Sequence, residues 1–352
     1  MNIPTTYTTA LLLSIFTMIC WGSWANTAKA AGKWRFELFY FDFSIGVLLC
    51  AIVACFSFGY LGSEITFVDN VTIVRYSQIG LSGLAGVVFN LGNILLVGAI
   101  AVAGISVAFP VGIGLALILG VVWSYFLRPQ GHPALLFSGA AVVALAIIAT
   151  SIAYREMLYM KDKEIRLQAA ATNPKGVRPR KLPKWKGIVL GLAGGVLIGS
   201  FYPLVEMARI DFIEMNAYAI GFMFAVGVFA SSFFFVPVLM NLPIQGDPLP
   251  FKTYLNGSLK QHLLGIFGGV IWFAGALASF VTAGAPEDAQ VGPGVAYAVG
   301  QGATLMSTLW GLLYWKEFAR APPRSKSLIW AALLLYAIGL GLVASAPMLA
   351  KK

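Results

Sequence analysis

Two carboxamides three residues apart, Asn90 and Asn93, stand inside an otherwise apolar run from Leu84 to Phe126. On a helix that spacing sets both on one face. An amide in hydrocarbon costs free energy until it finds a partner, which must be another helix, water or a bound solute. Asn93 and Asn90 are therefore candidate solute contacts, with a helix–helix hydrogen bond as the open alternative. Tyr297 and Gln301, four apart, share a face in the same way, and Gln301 stands between Gly300 and Gly302, where the backbone can open. Trp24, Phe201 and Tyr202 each follow or adjoin a Gly-Ser step and supply aromatic walls. A planar heterocycle or a sugar ring would stack there while the amides read its edges. Trp272 and Trp310 are further candidates of this kind.

Titratable groups are few in the apolar runs. Asp42 lies near the start of the second run, and Glu206 lies near the end of the sixth with Arg209 in pairing reach. An acid deep in a bilayer costs about 2.5–3.5 kcal/mol, so both are candidates to take up and release a proton. Near an interface the ordinary alternative is a solvated helix end. Lys29, Glu37, Glu287, Asp288, His132 and His262 are expected to be loop or boundary groups, with no second ligand spaced for a metal. No nucleophile–base set and no cofactor motif is visible, so an enzyme is not expected. The linker lacks the GxxxxGK[ST] phosphate loop. Uphill movement of a solute would then have to draw on an ion gradient.

The elements that must position these groups are membrane helices. Composition is 59% hydrophobic and 11% charged, and mean hydropathy is +0.82, far from a soluble domain. Ten runs approach the roughly 20 residues a bilayer requires: 7–28, 39–60, 77–101, 104–127, 133–154, 187–208, 217–240, 261–284, 292–315 and 327–347. The start, MNIPTTYTTA, has no Lys or Arg and so does not read as a signal peptide. Cys20, Cys50 and Cys55 all fall in apolar runs without metal spacing and read as small buried hydrophobes.

The net charge of +10 sits in loops rather than on a basic–aromatic module, so nucleic acid is not an expected partner. The partners expected are a small solute and the bilayer; monomer and homodimer both remain open. Five basic residues, Arg75, Arg128, Arg209, Lys351 and Lys352, fall on the side of the N-terminus, and the other 19 of the 24 fall opposite. The positive-inside rule then puts both termini outside and the central loop in the cytoplasm, in a plasma membrane or bacterial cytoplasmic membrane. The central segment carries ten Lys and Arg between Arg155 and Lys186. It reads as a polar extension of the fifth helix followed by an irregular stretch at Pro174, Pro179 and Pro183, facing anionic lipid.

That segment divides the chain into 1–154, a linker 155–186, and 187–352. The outer segments match. Trp21-Gly22-Ser23-Trp24 aligns with Ile198-Gly199-Ser200-Phe201 at an offset of 177 (198 − 21), and Val111-Gly112-Ile113-Gly114 with Val299-Gly300-Gln301-Gly302 at 188 (299 − 111). Five helices per half is an odd number, so the second half enters from the opposite side. The expected fold is all-α, ten transmembrane helices in two inverted five-helix repeats, with each fourth helix interrupted, at Gly104 and Phe109-Pro110 in the first. Gly191, Gly195 and Gly199, every four residues, predict a groove for a close neighbour on the sixth helix.

Several motifs carry a family likeness: Tyr40-Phe41-Asp42-Phe43-Ser44 to Phe56-Ser57-Phe58-Gly59, Leu91-Gly92-Asn93, Gly104-Ile105-Ser106-Val107, Phe251-Lys252-Thr253-Tyr254-Leu255-Asn256 and Ser307-Thr308-Leu309-Trp310-Gly311. In these the chain resembles the drug/metabolite transporter superfamily, in the branch that holds the plant ureide permeases. Rhamnose–proton symporters and glucose/ribose uptake proteins are cousins, similar at Gly92-Asn93, Gly268-Gly269 with Trp272, and Lys316-Glu317-Phe318. The resemblance implies a secondary importer of a small neutral nitrogen compound, such as allantoin or a nucleobase, coupled to protons. A sugar–proton symporter is the alternative, and an exporter of amphipathic compounds a further one. The resemblance also favours Asn93 in the solute site and Asp42 over Glu206 as proton carrier.

Overall fold

A run of apolar residues in lipid leaves backbone groups no partner but one another, and a helix satisfies them all within one segment. The computed structural model describes residues 4–60, 66–172, 184–243, 247–286, 289 and 291–350, and no strand occurs among them. The helices are α1 (Tyr7–Ser23) with its continuation α2 (Ala25–Ala30), α3 (Phe36–Ser57), α4 (Phe67–Ile73), α5 (Tyr76–Ala103) and α6 (Ile105–Ala108). A π-helical segment (Phe109–Ile113) leads into α7 (Gly114–Leu127), then α8 (Pro133–Thr172), α9 (Lys184–Arg209), α10 (Ala217–Asn241), α11 (Lys252–Leu255) and α12 (Leu259–Ala283). Last come α13 (Pro293–Gln301), α14 (Ala303–Leu309), a second π-helical segment (Trp310–Tyr314) and α15 (Pro323–Ala350).

Nine helices among the described residues are long and apolar enough to cross a membrane. The expected run 292–315 is not one of them. It is divided into α13, α14 and the second π segment, with a break at Gly302, so no single helix there has the length. The polar extension of the fifth run is present, since α8 continues to Thr172. Pro174, Pro179 and Pro183 lie outside the described residues.

The breaks have local causes. Gly104 and Gly292 take φ of +83° and +82°, a region open to glycine and strained for other residues. Each stands just ahead of an interrupted helix, and they are 188 apart (292 − 104). Pro110 lacks an N–H, and the ladder around it widens so that the Gly114 N–H reaches the Phe109 carbonyl. The Trp315 N–H reaches Trp310 in the same five-residue step.

Glycines set the helix crossings, because a missing side chain lets backbones approach. A Cβ on Gly46 would lie 2.0 Å from the Ile266 carbonyl oxygen, and one on Gly269 2.0 Å from that of Phe43, so α3 and α12 meet backbone to backbone. α5 and α10 meet likewise, with a Cβ on Gly86 2.1 Å from the Phe224 oxygen and one on Gly227 2.1 Å from that of Gly83. The glycine face of α9 lies on the first interrupted helix: a Cβ on Gly195 would be 2.6 Å from the Gly112 oxygen, and one on Gly199 3.0 Å from that of Ala116. Around these crossings α5 packs on α9, α12 on α1, α7 on α9 and α13, and α8 on α15.

Candidate functional site

The centre of the bundle is aromatic. Trp272 of α12 stacks on Phe89 of α5 with ring centroids 4.1 Å apart, on Trp21 of α1 at 5.8 Å and on Phe224 of α10 at 6.0 Å. Phe201 of α9 meets Trp21 edge-on at 6.3 Å and Tyr297 of α13 at 6.0 Å, and Tyr297 lies 5.0 Å from Tyr202. Glycines make the room: a Cβ on Gly300 would be 2.9 Å from the Trp21 ring, and one on Gly120 2.2 Å from Tyr297. Rings from both halves of the chain thus form one cluster with an apolar body and a few polar edges.

The candidates fall into three groups. Phe201, Tyr202, Trp272 and Tyr297 are brought together in this cluster. Tyr202 shares a hydrogen bond with Ser279 at 2.9 Å, and the Tyr297 hydroxyl donates to the carbonyls of Ala116 and Ile198, both at 3.3 Å. Gln301, buried, lies one turn beyond Tyr297. Asn93 stands at the margin, donating to the Tyr40 hydroxyl at 3.3 Å, and Tyr40 leads through Phe43 (5.1 Å) back to Trp272 (6.2 Å). Trp24 packs on Phe43 at 5.0 Å, and Trp310 is tied to Ser23 by its indole N–H at 2.8 Å. Asn90 turns elsewhere: its amide donates to Ser231 (2.7 Å), Ser232 (3.1 Å) and the Val228 carbonyl (3.1 Å), joining α5 to α10. The ring of α1 that meets Phe201 is Trp21, one turn before Trp24. Its signal in the sequence was its place at the head of the matched Trp-Gly-Ser step.

Charges gather at the two ends. At the end that carries the central linker, Asp42 is 1% exposed rather than a solvated helix end. The Tyr254 hydroxyl donates to its carboxylate at 2.6 Å, and His262 Nδ1 lies 2.9 and 3.0 Å from its two oxygens. Gly265 makes this possible, since a Cβ there would be 2.4 Å from that of Asp42. Burial first, and then the bonded Asp42 carboxylate, push the Tyr254 phenol well above its usual range, so it stays a donor. His262, expected as a boundary group, is thus the partner of Asp42, 220 residues away. Lys29, also expected as an ordinary charge, pairs with Glu317 and lies over the Trp315 ring at 4.1 Å, while the Tyr154 hydroxyl donates to Glu317 at 2.9 Å.

At the opposite end Glu206 is fully buried between Arg209 (3.5 Å) and Arg128 (3.9 Å), and Arg209 also donates to the Phe280 carbonyl at 2.9 Å. Glu287 and Asp288 lie outside the described residues. No cluster of three metal-ligating side chains occurs among the described residues, and Cys20, Cys50 and Cys55 are unbridged. A cavity of about 480 Å³ opens between α1, α3, α10 and α12, lined by Leu13, Phe16, Cys50, Tyr218, Ala274 and Leu277.

Residues 39–184 match the ureide permease family. Along nearly its whole length the chain is similar to curated plant permeases. Ureide permease 2 of Arabidopsis thaliana is 23% identical over 385 residues, covering 93% of each protein. Ureide permease 1 of the same plant is 22% identical over 386 residues, covering 95% of each. Ureide permease 5 is 22% identical over 397 residues, covering 95% of this chain and 93% of that one. A protein of known crystal structure superposes with a TM-score of 0.58 at 19% identity, over 98% of this chain and 99% of the other, a likeness of fold. These similarities support a multi-pass transporter and not an enzyme.

Proposed function

We propose that this ureide-permease-like chain imports a small neutral ureide such as allantoin, or a nucleobase, by alternating access driven by protons. The observation that carries the reading is the aromatic cluster around Trp272, which draws rings from both halves of the chain and is edged by the amides of Asn93 and Gln301. A flat, uncharged ring with polar edges suits such walls. The relatives' name supplies the solute class.

Alternating access requires two halves of like build, and we read the chain as an inverted repeat with Pro293–Tyr314 as its tenth, broken crossing. Three facts support this. The positive-φ glycines Gly104 and Gly292 repeat at the same offset as the Val-Gly-x-Gly steps. The α3–α12 glycine crossing has a counterpart in α5–α10, which is the same pair of helices with the halves exchanged. The terminal ion pairs also correspond: Lys29 and Glu206 are 177 apart (206 − 29), while Arg128 matches Lys316 (316 − 128 = 188), the neighbour of Glu317. Opening toward either face would then break the ion pair on that face and keep the other.

In this reading the termini face outward and the linker inward, as the basic residues require. Single cysteines at Thr5 and Thr172 should differ in intact cells, an impermeant thiol reagent labelling the first and sparing the second. The reverse pattern would invert the topology.

The solute reading is tested by a thermal-shift screen of purified protein against ureides, nucleobases, nucleosides and sugars, since a ligand of the folded state stabilises it by mass action. Stabilisation by allantoin or a nucleobase, and not by hexoses, is the expected result; stabilisation by deoxyhexoses alone would replace it with the sugar reading. Asn93→Ala should weaken binding by about 1–3 kcal/mol, the cost of an unpaired buried partner. Unchanged affinity would take Asn93 out of the site, and loss of the fold would assign it to packing with Tyr40.

A further inference from the structure

We propose that the indole N–H of Trp21 is the donor that selects a solute with an in-plane carbonyl, a role that rests on the ureide reading above. Trp21 is 9% exposed, and its Nε1 is buried without a hydrogen-bond partner. Of the other indoles, Trp310 and Trp315 find acceptors in Ser23 and Asn26 at 2.8 and 2.6 Å, while the Trp34 N–H, also buried without a close acceptor, lies by the Asp42 carboxylate. An N–H left without an acceptor among aromatic rings is costly, and packing alone would be served by a ring or an aliphatic group. The matched position in the second half makes the point. Ile198, 177 residues on (198 − 21), fills its place at 6% exposure with no polar atom. Nothing in the shared helix geometry therefore calls for an N–H at Trp21.

The surroundings fix what such a donor can meet. Trp21 is held from two sides, a Cβ on Gly275 falling 3.1 Å from its Cδ1 and one on Gly300 2.9 Å from its Cζ3. On a third side the Trp272 indole is nearly parallel, 8° between planes and 5.8 Å between centroids, while the other stack on Trp272, with Phe89, is closed to 4.1 Å. An indole N–H lies in the plane of its ring, so the carbonyl that accepts from it must approach the edge of Trp21 in that plane and not from between the two stacked faces. Nε1 is bonded to the Cδ1 that faces Gly275, so this edge looks toward α12, and a shift of α1 against α12 is the kind of motion that alternating access supplies. An indole donates and never accepts. Asn93 and Gln301 each offer both donor and acceptor, so the amides can read ring N–H groups while Trp21 reads a carbonyl. The ligand class is a neutral cyclic urea or imide, the ring shared by hydantoins and pyrimidine-type nucleobases.

The test uses the full-length protein in detergent, with hydantoin and its two analogues in which one carbonyl is replaced by a methylene. Trp21 is changed to Phe, and in a second variant to 3-benzothienylalanine, which keeps the indole shape with sulfur in place of N–H. Wild type should bind hydantoin and should bind one of the two analogues about ten-fold more weakly. Both variants should bind hydantoin about ten-fold more weakly than wild type and no longer distinguish it from that analogue. Hydantoin bound by wild type, with the same discrimination retained in either variant, would overturn the role of Trp21 alone. Absence of hydantoin and allantoin binding by wild type would overturn the ureide reading and this inference with it. Loss of a monodisperse folded protein in both variants would make Trp21 a packing residue.

Discussion

Asp42→Asn is expected to abolish accumulation of solute against a gradient while leaving exchange of labelled for unlabelled solute intact. Asp42 is the buried acid at the linker end, and its carboxylate is met by two groups able to answer a change in its charge. Tyr254 donates at 2.6 Å, and His262 at 2.9 Å either pairs with it as a cation or bonds to it as a neutral ring. A proton arriving at this pair removes a charge from a site that is 1% exposed, which changes the cost of moving α3 against α12. One proton crossing 100 mV yields about 2.3 kcal/mol, roughly a 50-fold concentration ratio. Asparagine keeps an acceptor for Tyr254 and removes the carboxylate that would take up the proton, so net coupling goes while alternating access stays. In proteoliposomes an imposed pH gradient should drive uptake by wild type and not by the variant. Equal pH-driven uptake by both would sink the assignment, and a strict sodium requirement would move it to another ion. Glu206, hemmed by two arginines, suits a lock better than a carrier, and Glu206→Gln should leave the response to pH in place.

Gly269→Ala, with Gly46→Ala beside it, should produce among the largest losses of stability of any single methyl group placed in the bundle. The added Cβ would sit 2.0 Å from the Phe43 carbonyl oxygen, a backbone atom that no rotamer change can move, and ordinary contact begins near 3.4 Å. α3 and α12 must separate by over an ångström, opening the crossing at Gly46 as well, and the cost is expected at roughly 3–5 kcal/mol. Gly341→Ala on α15 is the control, since a Cβ there meets nothing within 4 Å, and alanine favours the helix by about 1 kcal/mol. Thermal midpoints in detergent and the yield of monodisperse protein measure both. Similar midpoints for the two variants would show that α3 and α12 can separate at little cost.

What could be read along the chain was whatever backbone chemistry decides locally. Apolar runs of spanning length, the break at Gly104, the disturbed helix at Phe109-Pro110, the opening of the backbone at Gly302 and the polar extension into α8 each follow from a few neighbouring residues. The glycine face of α9 was legible for the same reason, since only a close neighbour explains that spacing, and the structure supplies one in Gly112 and Ala116. Which way each remaining side chain turns was not legible. A soluble helix announces its buried face by alternating polar and apolar stripes, but a membrane helix is apolar all round and sends no such signal. So Trp21 and Trp24, both near the end of the first crossing, could not be told apart, and packing turned the first toward Phe201 and the second toward Phe43. Asn90 and Asn93 share a face, yet their modest angular offset sends one to α10 and the other to Tyr40. His262 looked like a boundary residue because the acid that claims it lies 220 positions away. Such pairings form only when α3 and α12 close to backbone contact at Gly46 and Gly269, and that approach is a property of the packed bundle rather than of either helix.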